Sequence, residues 1–207
     1  MPKTIVFYDT EFTSWVGAQE SNWGEDWQYR ELVQIGAIRF DADTLKELDQ
    51  FDVLIKPVKN PILSDFLVDL TGITNEHVQD SGVSFSEAYK RFVKFLGDNT
   101  CISYGGDHVV VQENCKLYGH KEWANEFSGK DIRPWFGEQG IDTNSINSGA
   151  LAKSLDLDIN INEHNALDDV RSICAAFRYL VENGSPNPFI EGNDNLFEGA
   201  SIWKERN

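Results

Sequence analysis

Apolar residues recur along this chain with two different periods, and its first part shows mainly the pattern of strands. Apolar-rich runs of strand length stand at residues 5–8, 32–40 and 50–56, and the turn-rich segment 41–43 separates the last two. Short apolar runs that are bounded by polar turns predict buried strands. We expect these three runs to pair as an antiparallel meander.

Helical spacing dominates the rest of the chain. Residues 86–96, 108–117 and 167–181 carry apolar side chains three and four positions apart, which predicts three helices. Ser84 and Glu87 have the spacing of a capping box at the start of the first of these helices. Strands followed by helices indicate an α/β fold, in which a mixed sheet carries helices on its faces.

The remaining segments complete one predicted domain, residues 1–183. A short strand is predicted at 100–104, and a short strand with a helix at 142–155. Residues 14–30 predict a polar loop rich in tryptophan. Residues 184–207 are rich in Gly, Asn and Pro, which predicts a C-terminal surface tail.

An acidic pair ends the first predicted strand. Asp9 and Glu11 follow the apolar residues 5–8 and project from one face, because strand side chains alternate. Two carboxylates at the end of so apolar a strand repel each other and lose hydration, which a bound divalent cation would relieve. The alternative is a pair of solvated surface acids, which are common in an acidic chain.

A histidine and two aspartates stand near the start of the last predicted helix. On a helical wheel Asp169 falls on the apolar stripe, whereas Asp168 falls on the polar side. His164 would lie about 140° from Asp169 if both were helical, so we place the histidine in the preceding loop. The alternative is a capping histidine with a solvated aspartate, and it leaves an acid on an apolar stripe unexplained.

A further acid, Asp107, follows the predicted strand at 100–104 and a turn of two glycines. It precedes the predicted helix at 108–117, where aspartate is a favoured N-cap. Asp107 therefore serves as a helix cap, as a metal ligand or as both, and the presence of the other acids favours the ligand.

These motifs together resemble those of a nuclease superfamily. The Asp-x-Glu strand at Asp9, the Tyr-Gly-Gly-Asp turn that ends at Asp107 and the segment from His164 to Asp169 are similar to the three motifs of the DEDDh superfamily. This superfamily comprises the RNase T and DnaQ-like 3′-to-5′ exonucleases. The resemblance covers residues 3–182 and implies an RNase H-like fold, a mixed five-stranded sheet with helices on both faces.

The resemblance also implies a chemistry. Residues 63–66 and 70–74 are similar to the ERI-1-like and KapD-like exoribonuclease branch. Carboxylates suit two Mg²⁺ or Mn²⁺ ions that assist the in-line displacement of a phosphodiester, and a neutral histidine accepts the proton of the attacking water. The product is a 5′-mononucleotide. The implied metal ligands are Asp9, Glu11, Asp107 and Asp169, and the implied general base is His164.

Contacts to the terminal nucleotide are implied as well. In the families that this chain resembles, the residues directly after Asp-x-Glu help to hold the terminal nucleotide, which points to Phe12 and Thr13. Leu70 and Ile73 are expected to wedge against a base. The alternative for each of these residues is a place in the hydrophobic core.

Three tryptophans, Trp15, Trp23 and Trp27, lie in the predicted loop at 14–30. An exposed indole there would stack on a terminal base. For each of them we favour the alternative, in which the indole pins the loop onto the domain.

Net charge limits the kind of nucleic-acid binding that we expect. The chain has 34 acidic and 18 basic residues and a formal charge of −16, whereas proteins that grip long polyanions usually carry a basic surface. Either the protein engages only a few nucleotides at a strand end, with metal ions supplying positive charge, or its surface is adapted to a salty environment.

Other features indicate a cytoplasmic protein without membrane contact. The chain opens directly into its first strand, and no apolar run is long enough to cross a bilayer. Cys101, Cys115 and Cys174 lack Cys-x-x-Cys spacing and are expected to be buried and reduced.

The expected partners are the 3′ ends of single-stranded RNA or DNA. Homodimers occur among similar exonucleases, and the sequence leaves open whether this chain forms one. Two other functions also stay open. One is a DNA-directed exonuclease of the proofreading or repair type. The other is a non-catalytic module that binds nucleic-acid ends or a protein.

Overall fold

The computed structural model describes residues 3–190, which fold around a mixed five-stranded sheet in the order β3-β2-β1-β4-β5. Strands β1 (Thr4–Phe12), β2 (Leu32–Asp41) and β3 (Lys46–Leu54) pair antiparallel, so the predicted meander is confirmed. Strand β4 (Thr100–Ser103) lies parallel to β1, and β5 (Lys130–Asp131) lies parallel to β4.

Helices cover both faces of this sheet, and the three predicted ones are confirmed as α3, α4 and α8. Ser84 caps α3 by accepting a hydrogen bond from the Glu87 N–H at 3.3 Å. The helices are α1 (Asp65–Thr71), α2 (Asn75–Ser81), α3 (Phe85–Leu96), α4 (Asp107–Leu117), α5 (Lys121–Glu126), α6 (Arg133–Glu138), α7 (Leu151–Ser154) and α8 (Ala166–Glu182).

One predicted strand is wrong. Residues 142–155 hold turns and the short helix α7 but no strand, and the fifth strand of the sheet is β5. A strand of two residues carries no periodic pattern, so only its pairing with Ile102 and Ser103 of β4 defines it.

Side chains from the two faces of β1 enter separate cores. Phe7 packs with Phe40 and Phe177 of α8 on one face, whereas Tyr8 packs with Phe92 of α3 on the other. Gly36 of β2 permits α8 to begin close to the sheet, since a Cβ there would lie 2.3 Å from a backbone nitrogen of α8. This approach carries the first turn of α8 towards the end of β1.

The chain packs on the domain beyond the predicted boundary at residue 183. Phe189 is buried, and Trp135 Nε1 donates a 3.0 Å hydrogen bond to the Pro186 carbonyl. Pro186 and Phe189 of the predicted surface tail therefore contact the domain, while residues 191–207 lie outside the described residues. All three cysteines are buried and unpaired, as expected. Among the helices of residues 3–190, none is both long and apolar enough to cross a bilayer.

Candidate active site

The predicted catalytic residues meet in one cavity at the carboxyl end of β1. Asp9 and Glu11 reach it from β1, and Asp107 reaches it from the start of α4, directly after β4. Because β1 and β4 are parallel neighbours, their carboxyl ends meet at the same edge of the sheet. Asp169 and His164 reach the cavity from the first turn of α8 and from the loop before it, and the cavity measures about 380 Å³.

His164 lies in the loop before α8, as predicted. Its backbone is left-handed, with φ of 66°, and its N–H donates a 3.1 Å hydrogen bond to Asp169 Oδ1. Asn165 is the N-cap of α8, where its side chain accepts a hydrogen bond from the Asp168 N–H. Single ligand atoms of Glu11, His164 and Asp169 lie within 4.8 Å of one another. His164 is therefore near enough to the carboxylates to serve either as a metal ligand or as a base beside the metals.

Asp107 is the first residue of α4 and not its cap, because the N-cap position is taken by Gly106. Its Oδ1 accepts a 2.6 Å hydrogen bond from the hydroxyl of Thr10, which lies between the two acids of β1. This bond connects β1 with the start of α4 and orients the Asp107 carboxylate beside Asp9 and Glu11.

The two aspartates of α8 differ in their partners more than in their burial. Asp169 is buried, as predicted, but Asp168 is buried too, although the helical wheel placed it on the polar side. Asp168 accepts hydrogen bonds from the Asn162 N–H and from the Arg171 guanidinium. Arg171 forms an ion pair with Asp168 and balances its charge. Asp169 is therefore the aspartate that contributes negative charge to the cavity.

Burial raises the pKa values of all four cavity carboxylates, and the charges of neighbouring acids raise them further. Loss of hydration is the largest cause for each, and the charges of Asp107 and Asp169 raise the pKa of both Asp9 and Glu11 well above the usual range. The pKa of Asp107 rises to about 6 and that of Asp169 to about 7, although hydrogen bonds from Thr10 and Ser148 oppose the shifts.

Apart from His164, the described lining of the cavity holds no side chain that could balance the carboxylate charge. Of the described residues that line it, none is a lysine or an arginine. Four crowded carboxylates without a basic counter-ion are a set of hard oxygen ligands that suits divalent cations such as Mg²⁺ or Mn²⁺. The donor set therefore fits the metal ions that the resemblance implies.

Sequence patterns did not reveal two residues that position Asp169. The Ser148 hydroxyl donates a 3.0 Å hydrogen bond to Asp169 Oδ2, and it also lowers the pKa of Asp9 by hydrogen bonding. Gly149 lies against the same carboxylate, since a Cβ there would be 2.5 Å from Asp169 Oδ1. Both residues lie in a turn segment before α7, where the sequence has no periodic pattern of apolar residues. The small size of the two residues is the only signal in the sequence that indicates a close contact.

The four residues expected to hold the terminal nucleotide divide into two pairs. Phe12 and Leu70 line the cavity, and 38% of the Leu70 surface is exposed. Thr13 is buried outside the cavity lining, where its hydroxyl donates to the Tyr29 carbonyl. Ile73 is also buried outside that lining, in a small apolar cluster with residues of α1 and α2. The structure thus brings Phe12 and Leu70 to the site, and their contact with a nucleotide stays a prediction.

The tryptophan-rich loop forms one wall of the cavity. Trp23 is buried and donates a 3.0 Å hydrogen bond from Nε1 to the Thr13 carbonyl, so it pins the loop as expected. Trp15 lines the cavity and packs edge-on against Trp27, half of whose surface is exposed.

Residues 6–177, from β1 to α8, match the family model RNase_T, which is described as "Exonuclease". The chain belongs to this exonuclease family. The matched segment contains all five of the predicted catalytic residues, and these are the same residues that meet in the cavity.

Curated relatives carry exonuclease names. ERI1 exoribonuclease 2 of Mus musculus is 24% identical over 205 residues, which cover 87% of this chain and 29% of that protein. The 3′-5′ exonuclease Snipper of Drosophila melanogaster is also 24% identical, over 87% of this chain and 70% of that protein. The chain thus spans less than a third of the length of ERI1 exoribonuclease 2.

Solved structures show the same fold. The nuclease domain of 3′hExo, a DEDDh family member bound to rAMP, is similar with a TM-score of 0.70 and 21% identity over 89% of this chain and 94% of that chain. A structure of exonuclease I has a TM-score of 0.67 and 19% identity over 90% of this chain and 42% of that chain. The predicted RNase H-like exonuclease fold is confirmed.

Proposed function

We propose that this domain is a metal-dependent 3′-to-5′ exonuclease that removes nucleotides from single-stranded ends as 5′-mononucleotides, with RNA as its main substrate. The observation that carries this proposal is the convergence of four carboxylates and His164 in one cavity whose described lining has no lysine or arginine. The carboxylates are those of Asp9, Glu11, Asp107 and Asp169. So many crowded carboxylates raise the energy of the cavity unless cations bind there.

The four carboxylates would hold two Mg²⁺ or Mn²⁺ ions. Such ions, when bound, stabilise the attacking and departing oxygens of a phosphodiester displacement. The protein orients its ligands through neighbouring hydroxyls: Thr10 donates to Asp107, and Ser148 donates to Asp169. Because these donors are fixed before substrate arrives, little reorganisation is needed during the reaction.

His164 is the proposed general base. Its backbone N–H is bonded to Asp169, so its ring is held at the edge of the carboxylate cluster. A neutral imidazole there accepts the proton of the water that attacks the last phosphodiester. The bond that breaks joins phosphorus to the 3′ oxygen of the preceding nucleotide, and the released product is a 5′-mononucleotide.

Names of relatives support RNA as the substrate, because ERI1 exoribonuclease 2 is named for that activity. One similar solved structure concerns a 3′-exonuclease that recognises the histone mRNA stem-loop, and another is a complex of exonuclease I with single-stranded DNA. DNA-directed exonuclease activity is therefore the second candidate. A purely binding module is disfavoured, since none of the five catalytic groups is replaced. Cytoplasmic location and homodimer formation stay predictions.

The test is degradation of matched RNA and DNA single strands that carry a 5′ label, with Mg²⁺, with Mn²⁺ or with EDTA. We expect stepwise shortening from the 3′ end and release of 5′-mononucleotides with either metal ion, no reaction in EDTA, and faster shortening of RNA. Intact strands under both metal ions would leave only the binding function. Faster shortening of DNA would favour the second candidate.

A further inference from the structure

The segment at residues 142–150, which leads into α7, reaches the catalytic cavity without forming a helix or a strand. It consists of turns whose backbone bonds are local, such as the 3.0 Å bond from the Ile146 N–H to the Asp142 carbonyl. Ser148 of this segment nevertheless lines the cavity and donates to Asp169. Turns of this kind have low stability by themselves, so the position of Ser148 depends on ties to other elements.

Tyr104 provides such a tie. It follows β4 directly, and its hydroxyl donates a 3.0 Å hydrogen bond to the Ile146 carbonyl, two positions before Ser148. Burial raises the pKa of Tyr104 above its usual range, so the hydroxyl stays protonated and remains a donor. The buried ring packs edge-on against Phe136 of α6, which fixes the direction of the hydroxyl.

From these contacts we infer that Tyr104 is a positioning residue for the metal site, which holds the turn at Ile146 so that the Ser148 hydroxyl meets Asp169. This inference rests on the proposed function, in which Asp169 is a metal ligand. Tyr104 acts through another side chain, because its own hydroxyl is bonded to a backbone carbonyl and not to a carboxylate of the cavity.

The contacts form a chain from the sheet to α8. Strand β4 pairs in parallel with β1, so the same edge of the sheet carries both Asp9 and Tyr104. Tyr104 fixes the Ile146 carbonyl, and Ser148 reaches Asp169 Oδ2 at 3.0 Å. Residues that orient a ligand in this way raise metal affinity although they do not touch the metal. Loss of the Tyr104 hydroxyl should therefore loosen Ser148 and weaken cation binding by Asp169.

The test compares Tyr104→Phe with Tyr89→Phe, since both changes remove a hydroxyl and keep the ring. Tyr89 is a matched control because it is also buried and its hydroxyl donates a 3.3 Å bond to a backbone carbonyl, that of Trp123. It belongs to the core on the other face of the sheet and lies outside the cavity lining. In EDTA both variants should melt within a few degrees of the wild type.

Calorimetric titration with Mn²⁺ measures metal affinity in the absence of substrate. We expect Tyr104→Phe to weaken Mn²⁺ binding by about 2- to 10-fold, the usual effect of one lost hydrogen bond, and Tyr89→Phe to leave it unchanged. In steady-state kinetics the Mn²⁺ concentration that gives half-maximal turnover should rise by the same factor. The KM for single-stranded RNA at saturating Mn²⁺ should stay that of the wild type.

A double variant separates action through Ser148 from a general loosening of the fold. Ser148→Ala removes the hydroxyl that Tyr104 is inferred to hold in place. In the Ser148→Ala background, Tyr104→Phe should therefore change Mn²⁺ affinity little, so that the effects of the two substitutions are not additive.

Wild-type Mn²⁺ affinity in Tyr104→Phe would overturn the inference, and so would an equal loss in Tyr89→Phe or full additivity with Ser148→Ala. A raised KM for RNA with unchanged Mn²⁺ affinity would also overturn it, because the hydroxyl would then be a substrate contact. These results leave the exonuclease intact. A wild-type protein that binds no Mn²⁺ and degrades no strand would overturn the proposed function itself.

Discussion

Gly149 lies so close to the Asp169 carboxylate that a methyl group on its Cα would come within 2.5 Å of Oδ1. Ser148, the residue before it, donates a hydrogen bond to the other oxygen of the same carboxylate. This turn therefore fixes the position of Asp169 from outside α8, and its geometry can be changed without removing any proposed metal ligand.

Gly149→Ala is expected to displace the Asp169 carboxylate. We expect a loss of metal affinity or turnover of about 10- to 100-fold, the usual effect of disturbing a residue that orients a metal ligand. Calorimetric titration with Mn²⁺ and steady-state kinetics measure the two quantities. Gly137→Ala is the matched control, because a Cβ at that position meets nothing within 4 Å. Wild-type metal binding and turnover in Gly149→Ala would show that the turn does not position the carboxylate.

Asp9→Ala is expected to inactivate the enzyme without destabilising the metal-free protein. Asp9 is buried next to other acids that raise its pKa, so its removal relieves repulsion that offsets the lost packing. Turnover should fall by more than about a hundredfold, while the melting temperature in EDTA stays equal or rises.

The control for Asp9→Ala is Asp98→Ala, which removes an exposed carboxylate. It should leave turnover unchanged. A melting temperature of Asp9→Ala far below that of the wild type in EDTA would contradict the repulsion that we derive from the crowded carboxylates.

The stability of the metal-free protein is expected to fall as pH rises. In the native state the pKa of Asp107 is about 6 and that of Asp169 about 7, whereas the ordinary value is 3.8. Between about pH 4 and pH 7 the native state therefore binds more protons than the unfolded state, and the free energy of unfolding decreases with rising pH. Melting temperatures in EDTA should be several degrees lower at about pH 8 than at about pH 5.

Bound Mg²⁺ should reverse this trend, since cations favour the charged carboxylates and bind more tightly once the protons have left. The rise in melting temperature on adding Mg²⁺ should be larger at about pH 8 than at about pH 5. Asp107→Asn removes one titrating group and should reduce the pH dependence seen in EDTA. An identical pH dependence in Asp107→Asn and the wild type would contradict the raised pKa of Asp107.

His164→Asn tests the role of the histidine. Asparagine tolerates the left-handed backbone of this position, so the loop before α8 should keep its course. A general base supplies about 10²- to 10⁴-fold in rate, and kcat should fall by that factor while Mg²⁺ affinity is unchanged. His77→Asn, at an exposed position of α2, is the control. A large loss of Mg²⁺ affinity in His164→Asn would instead make this residue a metal ligand.

Much of the site was predictable because it follows local periodicity. Asp9 and Glu11 share a face through the period of a strand, and Asp169 lies on the apolar stripe of a helix. His164 was placed in a loop because its offset from Asp169 does not fit a helix, and the structure bears this out. The helical wheel failed for Asp168, since its burial depends on Arg171 and on the preceding loop rather than on the helix alone.

Other parts of the site have no local pattern. Thr10 and Asp107 are 97 positions apart, and Ser148 and Asp169 are 21 apart. Each pair meets only because the sheet order and the start of α8 bring the segments together. Similarly, Thr13 stands between Phe12 and Ser14, which line the cavity, and Ile73 stands three positions after Leu70, yet the side chains of Thr13 and Ile73 are buried outside the cavity lining.

The amino-acid sequence by itself determined the strand that presents two acids and the helix that buries Asp169, because each follows from the spacing of residues close together along the chain. The exonuclease family was indicated by the resemblance of three motifs and shown by the match over residues 6–177. Only the tertiary structure decided that Ser148 and Gly149 support Asp169 and that Thr10 orients Asp107. Those relationships join distant segments through close contacts of small residues, which leave no periodic signal in the sequence.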